Sequence, residues 1–429
     1  MNTQAFESYE SQVRSYCRNF PAVFTTAKGP FLYDEDGREY IDFFCGAGGL
    51  NYGHNPDFIK EKVIQYLQGD GVMHALDMYT APKRDFIEFY EEEILKPRGL
   101  PYKLQFPGPT GTNAVEAALK LARKVKKRQN VFAMMGAFHG MTLGSIALTT
   151  DASSRAGAGV PLANVTHIPA PYMFPELDTV KYMETLLTDD HSGVEKPAAL
   201  ILETVQADGG INPFPVEWLQ AVRDLCDRHD ILLIVDDIQV GCARTGWFFS
   251  FERAGIVPDI VTQSKSIGGY GMPFALVLIK PELDIWEPGE HNGTFRGYQL
   301  SMVAAKAGLE LMLQERVEEK VRRQEPVIAR YMEEIRALDP DRIKTRGIGF
   351  VWGIDFWRYD RDGVMSKKVL DICFENGLIV ERVGRGNTVV KVFPELLIDE
   401  ETLCRGLEIL KKSVKQARAC LKIEEVPNF

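Results

Sequence analysis

The chain has 429 residues, which fits about two to three domains rather than one ordinary core. Hydrophobic residues make up 45% and charged residues 26%, the balance of a soluble globular protein. With 50 basic and 60 acidic side chains the formal charge is −10, which excludes a global pull toward nucleic acid or anionic membrane and leaves room only for a local anion site.

Met1 to Glu10 is polar and lacks the apolar core of a secretory signal. No apolar run reaches the roughly 18–20 residues that a membrane span needs. Gly29 to Phe43 predicts a hairpin, two β-prone runs around Asp36-Gly37. Asn51 to Pro56 reads as a loop and Phe58 to Leu67 as an amphipathic helix. Val115, Ala118, Leu119 and Ala122 mark one face of another helix. Short apolar runs follow at Val131–Met135, Ala199–Leu202, Ile231–Val235, Ile260–Thr262 and Ala275–Ile279, with helical stretches such as Glu217–His229 between some of them. This alternation predicts an α/β fold with a mostly parallel sheet covered on both faces. One long helical pattern runs from Tyr298 to about Leu338. From about Arg342, strands ("GFVWGIDFW", "TVVKVF") mix with helices (Lys367–Asn376, Glu400–Leu421), as in a smaller α+β domain. The expected division is an N-terminal segment (1–56) belonging to the small domain, a large domain (57–320) and a C-terminal small domain (321–429).

Seven cysteines (Cys17, Cys45, Cys226, Cys242, Cys373, Cys404, Cys420) are scattered, with no C-x-x-C pair. That favours a reducing compartment over a disulfide framework or zinc knuckle, and a cytoplasmic location is expected. Cys226 and Cys404 sit in helical patterns and read as core packing.

Five segments carry candidate chemistry. "GPTGTNAVEAALKLAR" (108–123) runs a Gly/Thr turn straight into a helix, whose free N–H groups and dipole suit a phosphate. Gly111 lets backbone approach closely and Thr112 can add a hydroxyl. An ordinary N-cap reads the same way. "AFHG" (137–140) follows an apolar strand, where Phe138 can stack on a flat heteroaromatic ligand or simply fill core. Ile231–Val235 ends in Asp236-Asp237-Ile238-Gln239, two acids that are costly to bury without partners. A carboxylate there can keep a pyridinium nitrogen protonated, the condition for pyridoxal phosphate to act as an electron sink; a metal site or helix cap is the rival reading. Ile238 can pack on such a ring and Gln239 can reach its hydroxyl. Lys265 enters a Ser/Gly-rich turn after a strand end, where a partly desolvated amine can form a Schiff base; most lone lysines near glycines are instead solvated. In "HNGTFRG" (291–297), Thr294 can donate to a phosphate.

Together these motifs resemble the class III aminotransferases, the ornithine and 4-aminobutyrate aminotransferase group, over nearly the whole chain. The likeness rests on "GPFLYDEDGREYIDFFCGAGGLNYGHNP" (29–56), "AFHG" (137–140), "LIVDDIQVGCARTG" (233–246) and "SKSIGGYGMPFA" (264–275). It implies a fold-type I, pyridoxal-phosphate-dependent enzyme assembled as a homodimer or dimer of dimers. By the same likeness Gly111 and Thr112 bind phosphate, and Phe138 stacks on the ring within a cofactor-binding motif that includes His139. Asp236 pairs with the ring nitrogen and Gln239 touches the ring oxygen. Lys265 holds the cofactor and moves the proton, and Thr294 reaches the phosphate of the other subunit's cofactor. The chain departs from the family pattern at Asp237-Ile238, at Ala243 before Arg244, and at Arg296 in place of a glycine.

Further stretches, "VRSYCRNFPAVFTTAKG", "PGEHNGTFRG" and "VVKVFPE", are similar to family members that aminate L-aspartate 4-semialdehyde with glutamate as donor. Another ω-amine (4-aminobutyrate, ornithine or acetylornithine) or a semialdehyde aminomutase reaction is the alternative. The family's carboxylate-gripping arginine is matched by Lys391, and the acid that pairs with it by Glu203, so a Glu203–Lys391 switch is expected. Lysine offers a point charge there rather than a bidentate fork.

Overall fold

The computed structural model describes residues 3–420. The N-terminal hairpin forms where Asp36-Gly37 predicts it. Strand β1 (Phe24–Lys28) pairs with β2 (Phe31–Asp34), and β2 pairs antiparallel with β3 (Glu39–Asp42). Gly37 takes φ +76°, and Asp34 Oδ1 accepts the N–H groups of Asp36 and Arg38 at 3.0 and 2.9 Å, an Asx-type turn.

The central sheet contains β4 (Lys103–Gln105), β5 (Val131–Met134), β6 (Val165–Ile168) and β7 (Ala199–Leu202). A small hairpin, β8 (Val205–Gln206) and β9 (Asn212–Pro213), leaves it, and β10 (Leu232–Asp236), β11 (Ile260–Gln263) and β12 (Leu276–Ile279) complete it. The strand order is β4-β12-β11-β10-β7-β5-β6. From β6 to β11 neighbouring strands are parallel, and β12 turns antiparallel. Strands β5, β7, β10, β11 and β12 are buried along their whole length, which is why they read as unbroken apolar runs. In such a sheet ligands gather at the carboxyl ends of the strands. Asp236 is the last residue of β10, in register with Thr262 on β11, and Lys265 follows two residues past β11.

The predicted helix from Tyr298 to Leu338 is two helices, Gln299–Gln314 and Val317–Arg336. The chain breaks at Arg316, which adopts φ +50°. Its guanidinium turns onto Glu319 Oε1 (3.0 and 2.7 Å) in the first turn of the second helix. Beyond it, β13 (Lys344–Ile348), β14 (Val351–Asp355), β17 (Val389–Val392) and β16 (Glu381–Val383) form a second antiparallel sheet, and β15 (Leu378–Ile379) joins β3 in parallel. The last helix runs Glu400–Cys420; its expected end at Leu421 lies outside the described residues. Cys226 is buried in the core and Cys404 only half-buried. Arg244, fully buried, ties the loop after β10 to the N-terminal segment through Asn51 Oδ1 (2.6 Å) and to the C-terminal part through the carbonyls of Phe350 and Pro394.

Candidate active site

A cavity of about 270 Å³ opens at the carboxyl ends of β5, β7, β10 and β11. Gly111, Thr112, Phe138, His139, Glu203, Asp236, Gln239 and Lys265 all line it, so the structure brings eight of the ten sequence-predicted site residues together. Thr294 stands exposed outside it, and Lys391 is buried behind Asp208.

Asp236 is placed by the end of β10 and fixed by three contacts. His139 Nδ1 lies 2.7 Å from Oδ2, while Oδ1 accepts from Ile238 N–H and Thr262 Oγ1 at 3.2 Å each. Burial lowers the basicity of the His139 ring, but the hydrogen bond and charge of Asp236 outweigh it, and the imidazole is held above its ordinary pKa. His139 therefore backs the carboxylate rather than facing the open volume alone. Asp237, the second acid, points the other way: it accepts from Ser250, and burial pushes its carboxyl up to about 7. That pairing answers the question of how two adjacent acids are buried.

Lys265 sits at φ +54°, a left-handed conformation that costs a side-chain-bearing residue about 1–2 kcal/mol and concentrates at functional sites. Burial lowers its pKa, and the Lys391 charge adds to that, against the raising effect of Asp208, Glu381 and Asp236. An amine so biased is a better nucleophile at neutral pH.

The helix Gly111–Lys126 points its first turn at the cavity with no side-chain cap among the described residues; Asn113 and Ala114 N–H donate to Thr110 O, which leaves the Gly111 and Thr112 N–H groups for an anion. A Cβ on Gly111 would come within 3.0 Å of Ile238 Cδ1, and one on Gly140 within 2.6 Å of Thr112 Oγ1, so both glycines allow close approach. Thr112 Oγ1 shares hydrogen bonds with Thr142 (2.7 Å) and Ser145. Gln239 donates Nε2–H to Ala47 O (3.1 Å), and its Oε1 is buried without a partner among the described residues. A phosphate cradle, an aromatic wall, a buried acid, an orphaned amide oxygen and an amine of lowered pKa fit a phosphorylated pyridine aldehyde.

The expected Glu203–Lys391 pair is not formed. Glu203 is held by backbone, accepting from Phe138 N–H (3.1 Å) and Ala207 N–H (3.2 Å), and burial pushes its carboxyl up to about 8. Lys391 instead meets Glu381 Oε2 at 2.5 Å, its cross-strand neighbour in the β16–β17 register, and Asp208 Oδ1 at 3.7 Å. Burial lowers the Lys391 pKa, but these two acids raise it further, and the side chain stays an ammonium. Sequence reasoning missed Asp208 and Glu381. Asp208 lies five residues past Glu203 in the chain, whereas nothing local marks Glu381.

The family model described as aminotransferase class-III matches residues 13–414. A diaminobutyrate–2-oxoglutarate transaminase from Streptomyces coelicolor is 53% identical, covering 96% of this chain and 97% of its own. One of the same name from Sporosarcina pasteurii is 50% identical, covering 96% and 97%. Among solved structures, an S-selective transaminase from Arthrobacter sp. superposes with a TM-score of 0.88 at 21% identity, covering 97% of this chain and 98% of its own. An ornithine aminotransferase from Toxoplasma gondii superposes at 0.83 and 24% identity, covering 97% and 93%.

Proposed function

The chain belongs to the class III aminotransferase family, and from that premise we propose that it moves the amino group of L-glutamate onto C4 of L-aspartate 4-semialdehyde, giving 2-oxoglutarate and L-2,4-diaminobutyrate. The observation that carries this is the identity of about half of all positions, along 96% of the chain, with relatives bearing that activity in their names. The cofactor is pyridoxal phosphate, which when bound supplies an aldehyde carbon and a ring that spreads negative charge.

Each site residue then has a task. The first turn at Gly111 and Thr112 holds the phosphate, Phe138 covers a ring face, and Gln239 meets the ring oxygen. Asp236, backed by His139, pairs with the ring nitrogen. Lys265 Nζ would hold the aldehyde carbon, and its free amine is placed to take and return the proton of the substrate carbon bearing the amine. Glutamate and then the semialdehyde use the same amine in turn, so the overall exchange conserves one amino group and one carbonyl oxygen. Lys391 attracts the substrate carboxylate remote from the reacting carbon.

We extend the reading to assembly. Thr294 serves the phosphate of a second copy in a homodimer, supported by its exposure beside Phe295 and by the exposed apolar side chains Leu76, Met78 and Tyr79. Residues 1–56 and 321–429 act as one small domain against 57–320, supported by the β3–β15 pairing. A cytoplasmic location is supported by seven free cysteines; among the described residues no helix is long and apolar enough to cross a membrane.

The test uses the purified, cofactor-loaded chain. Glutamate alone should change the cofactor spectrum and release 2-oxoglutarate, and adding the semialdehyde should yield diaminobutyrate. If only the semialdehyde changes the spectrum, the chain is an aminomutase. If 4-aminobutyrate or ornithine replaces glutamate with higher kcat/KM, the substrate assignment is wrong.

A further inference from the structure

The tasks above leave two acids of the cavity wall unused: Glu203, whose carboxyl is taken up by the N–H groups of Phe138 and Ala207, and Asp208. Resting on the acceptor assignment just made, we infer that Asp208 receives the α-ammonium of L-aspartate 4-semialdehyde while Lys391 takes the adjacent α-carboxylate, so that Asp208 sets specificity for acceptors carrying a zwitterionic head.

The two substrates differ in what they present away from the reacting carbon. Glutamate reacts through its α-amine and leaves a γ-carboxylate at its far end, one negative charge. The semialdehyde reacts through its aldehyde and leaves an ammonium and a carboxylate on one carbon. A pocket holding a single cation would suit the first and would not tell the second from an aldehyde bearing a carboxylate alone. Asp208 lines this pocket with a cation and a second acid directly behind it: Lys391 Nζ is 3.7 Å from Asp208 Oδ1 and 2.5 Å from Glu381 Oε2.

Of Asp208 and Glu381 only Asp208 lines the cavity, and its side chain is 30% exposed. Its carboxylate accepts no hydrogen bond among the described residues, so it is free to accept from a ligand. Lys391 is fully buried and Glu381 is 8% exposed, yet neither Lys391 Nζ nor Glu381 Oε2 makes a directed hydrogen bond. A close ion pair with poor angles leaves the ammonium with donors to spare for a carboxylate. Buried charges kept in this state are a poor route to stability and a ready-made receptor.

The loop that carries Asp208 is held in place. Gly384 N–H donates to Asp208 O at 2.9 Å, and Arg346 Nε–H donates to Ile211 O at 2.8 Å. A Cβ on Gly209 would meet Gly136 O at 2.2 Å, so the loop is pressed against the strand end that leads to Phe138. The carboxylate is thus pre-positioned, which lowers the ordering entropy lost on binding.

The two substrates should respond to Asp208 with opposite signs. An ammonium is attracted to it; a γ-carboxylate meets it as a like charge that Lys391 must overcome. The experiment takes the cofactor-loaded protein and measures kcat/KM for L-aspartate 4-semialdehyde and for succinic semialdehyde, which has the same aldehyde and carboxylate but hydrogen in place of the ammonium. The inhibition constant of glutarate, a dicarboxylate without an amine, is measured alongside. Wild type should favour the aspartate semialdehyde by about tenfold or more, the range of one charge-assisted hydrogen bond. Asp208→Asn should collapse that preference through loss on the aspartate semialdehyde, and glutarate should inhibit it more tightly. Asp208→Glu, which restores the charge, should recover part of the preference. Equal losses on both aldehydes, an unchanged ratio, or weaker glutarate inhibition in Asp208→Asn would overturn the inference. Wild-type failure to use the aspartate semialdehyde would instead sink the acceptor assignment, and is seen before any variant is made.

Discussion

Gly269 is the point at which a single methyl group should disable the site from outside it. The residue lies at φ +70°, ψ −62°, and Tyr270 N–H donates to Gly268 O at 2.7 Å, a γ-turn that L side chains rarely adopt. A Cβ there would fall 2.1 Å from Ala304 O and 2.8 Å from Ala304 C. An ordinary carbon–oxygen approach is about 3.3 Å, so the turn and the helix Gln299–Gln314 must part by about 1 Å. The opposing atoms are helix backbone, with no flexible tip to swing aside. The mirror-region conformation costs about 1–2 kcal/mol. Overpacking adds about 1–3 kcal/mol. Gly269→Ala should therefore lose about 2–5 kcal/mol of stability. Lys265 opens the same 3-10 turn, and a displacement near 1 Å at a reacting group lowers rate on the order of 100-fold. Denaturant unfolding of the holoenzyme, the absorbance of the bound cofactor and kcat/KM for glutamate measure the three consequences. A variant with unfolding free energy within about 0.5 kcal/mol of wild type and full turnover would refute the reasoning.

Other outcomes follow from the same geometry. Lys265→Ala should abolish turnover and leave the cofactor removable by dialysis, read from the loss of its protein-bound absorbance. His139→Leu removes the 2.7 Å contact to Asp236 and should lower kcat roughly 10- to 100-fold, the range of a charge-assisted hydrogen bond, with a smaller change in glutamate KM. Glu395 is buried with Oε2 unpartnered, and burial, with the Asp42 charge, pushes its carboxyl up to about 8 against the pull of Lys320. Between about pH 4.5 and 8 the folded chain keeps a proton there that the unfolded chain has lost, so stability falls as pH rises through that window. Glu395→Gln should flatten the decline and stabilise the protein above pH 8 by about 2 kcal/mol, measured as urea midpoints at pH 5 and pH 9.

The chemistry carried by contiguous segments was legible before any coordinates. Ala199–Leu202 is read as a strand to the residue, because a strand buried on both faces leaves an unbroken apolar run. Lys265, Asp236 and the Gly111 turn each follow such a run or open a helix, so local sequence places them at the sheet's carboxyl edge. What was not legible depends on register between distant strands. Glu381 faces Lys391 because β16 and β17 align those two positions, and no spacing in "IVERVGRGNTVVKV" specifies that alignment. Likewise the apolar period through 299–336 conceals the break at Arg316, where the backbone turns to positive φ between two helices.

The parallel pairing of β3 with β15 has a bearing on how the molecule is made. Arg38 hydrogen-bonds to the Glu375 carbonyl 337 residues further along the chain, and Ile41 aligns with Leu378. As the chain leaves the ribosome, the first hairpin must therefore wait with one edge open until almost everything else has been translated. An open strand edge is a template for pairing with the wrong neighbour. Glu35, Asp36, Arg38 and Glu39 on that hairpin are all exposed charges, the kind of side chain that opposes such mispairing.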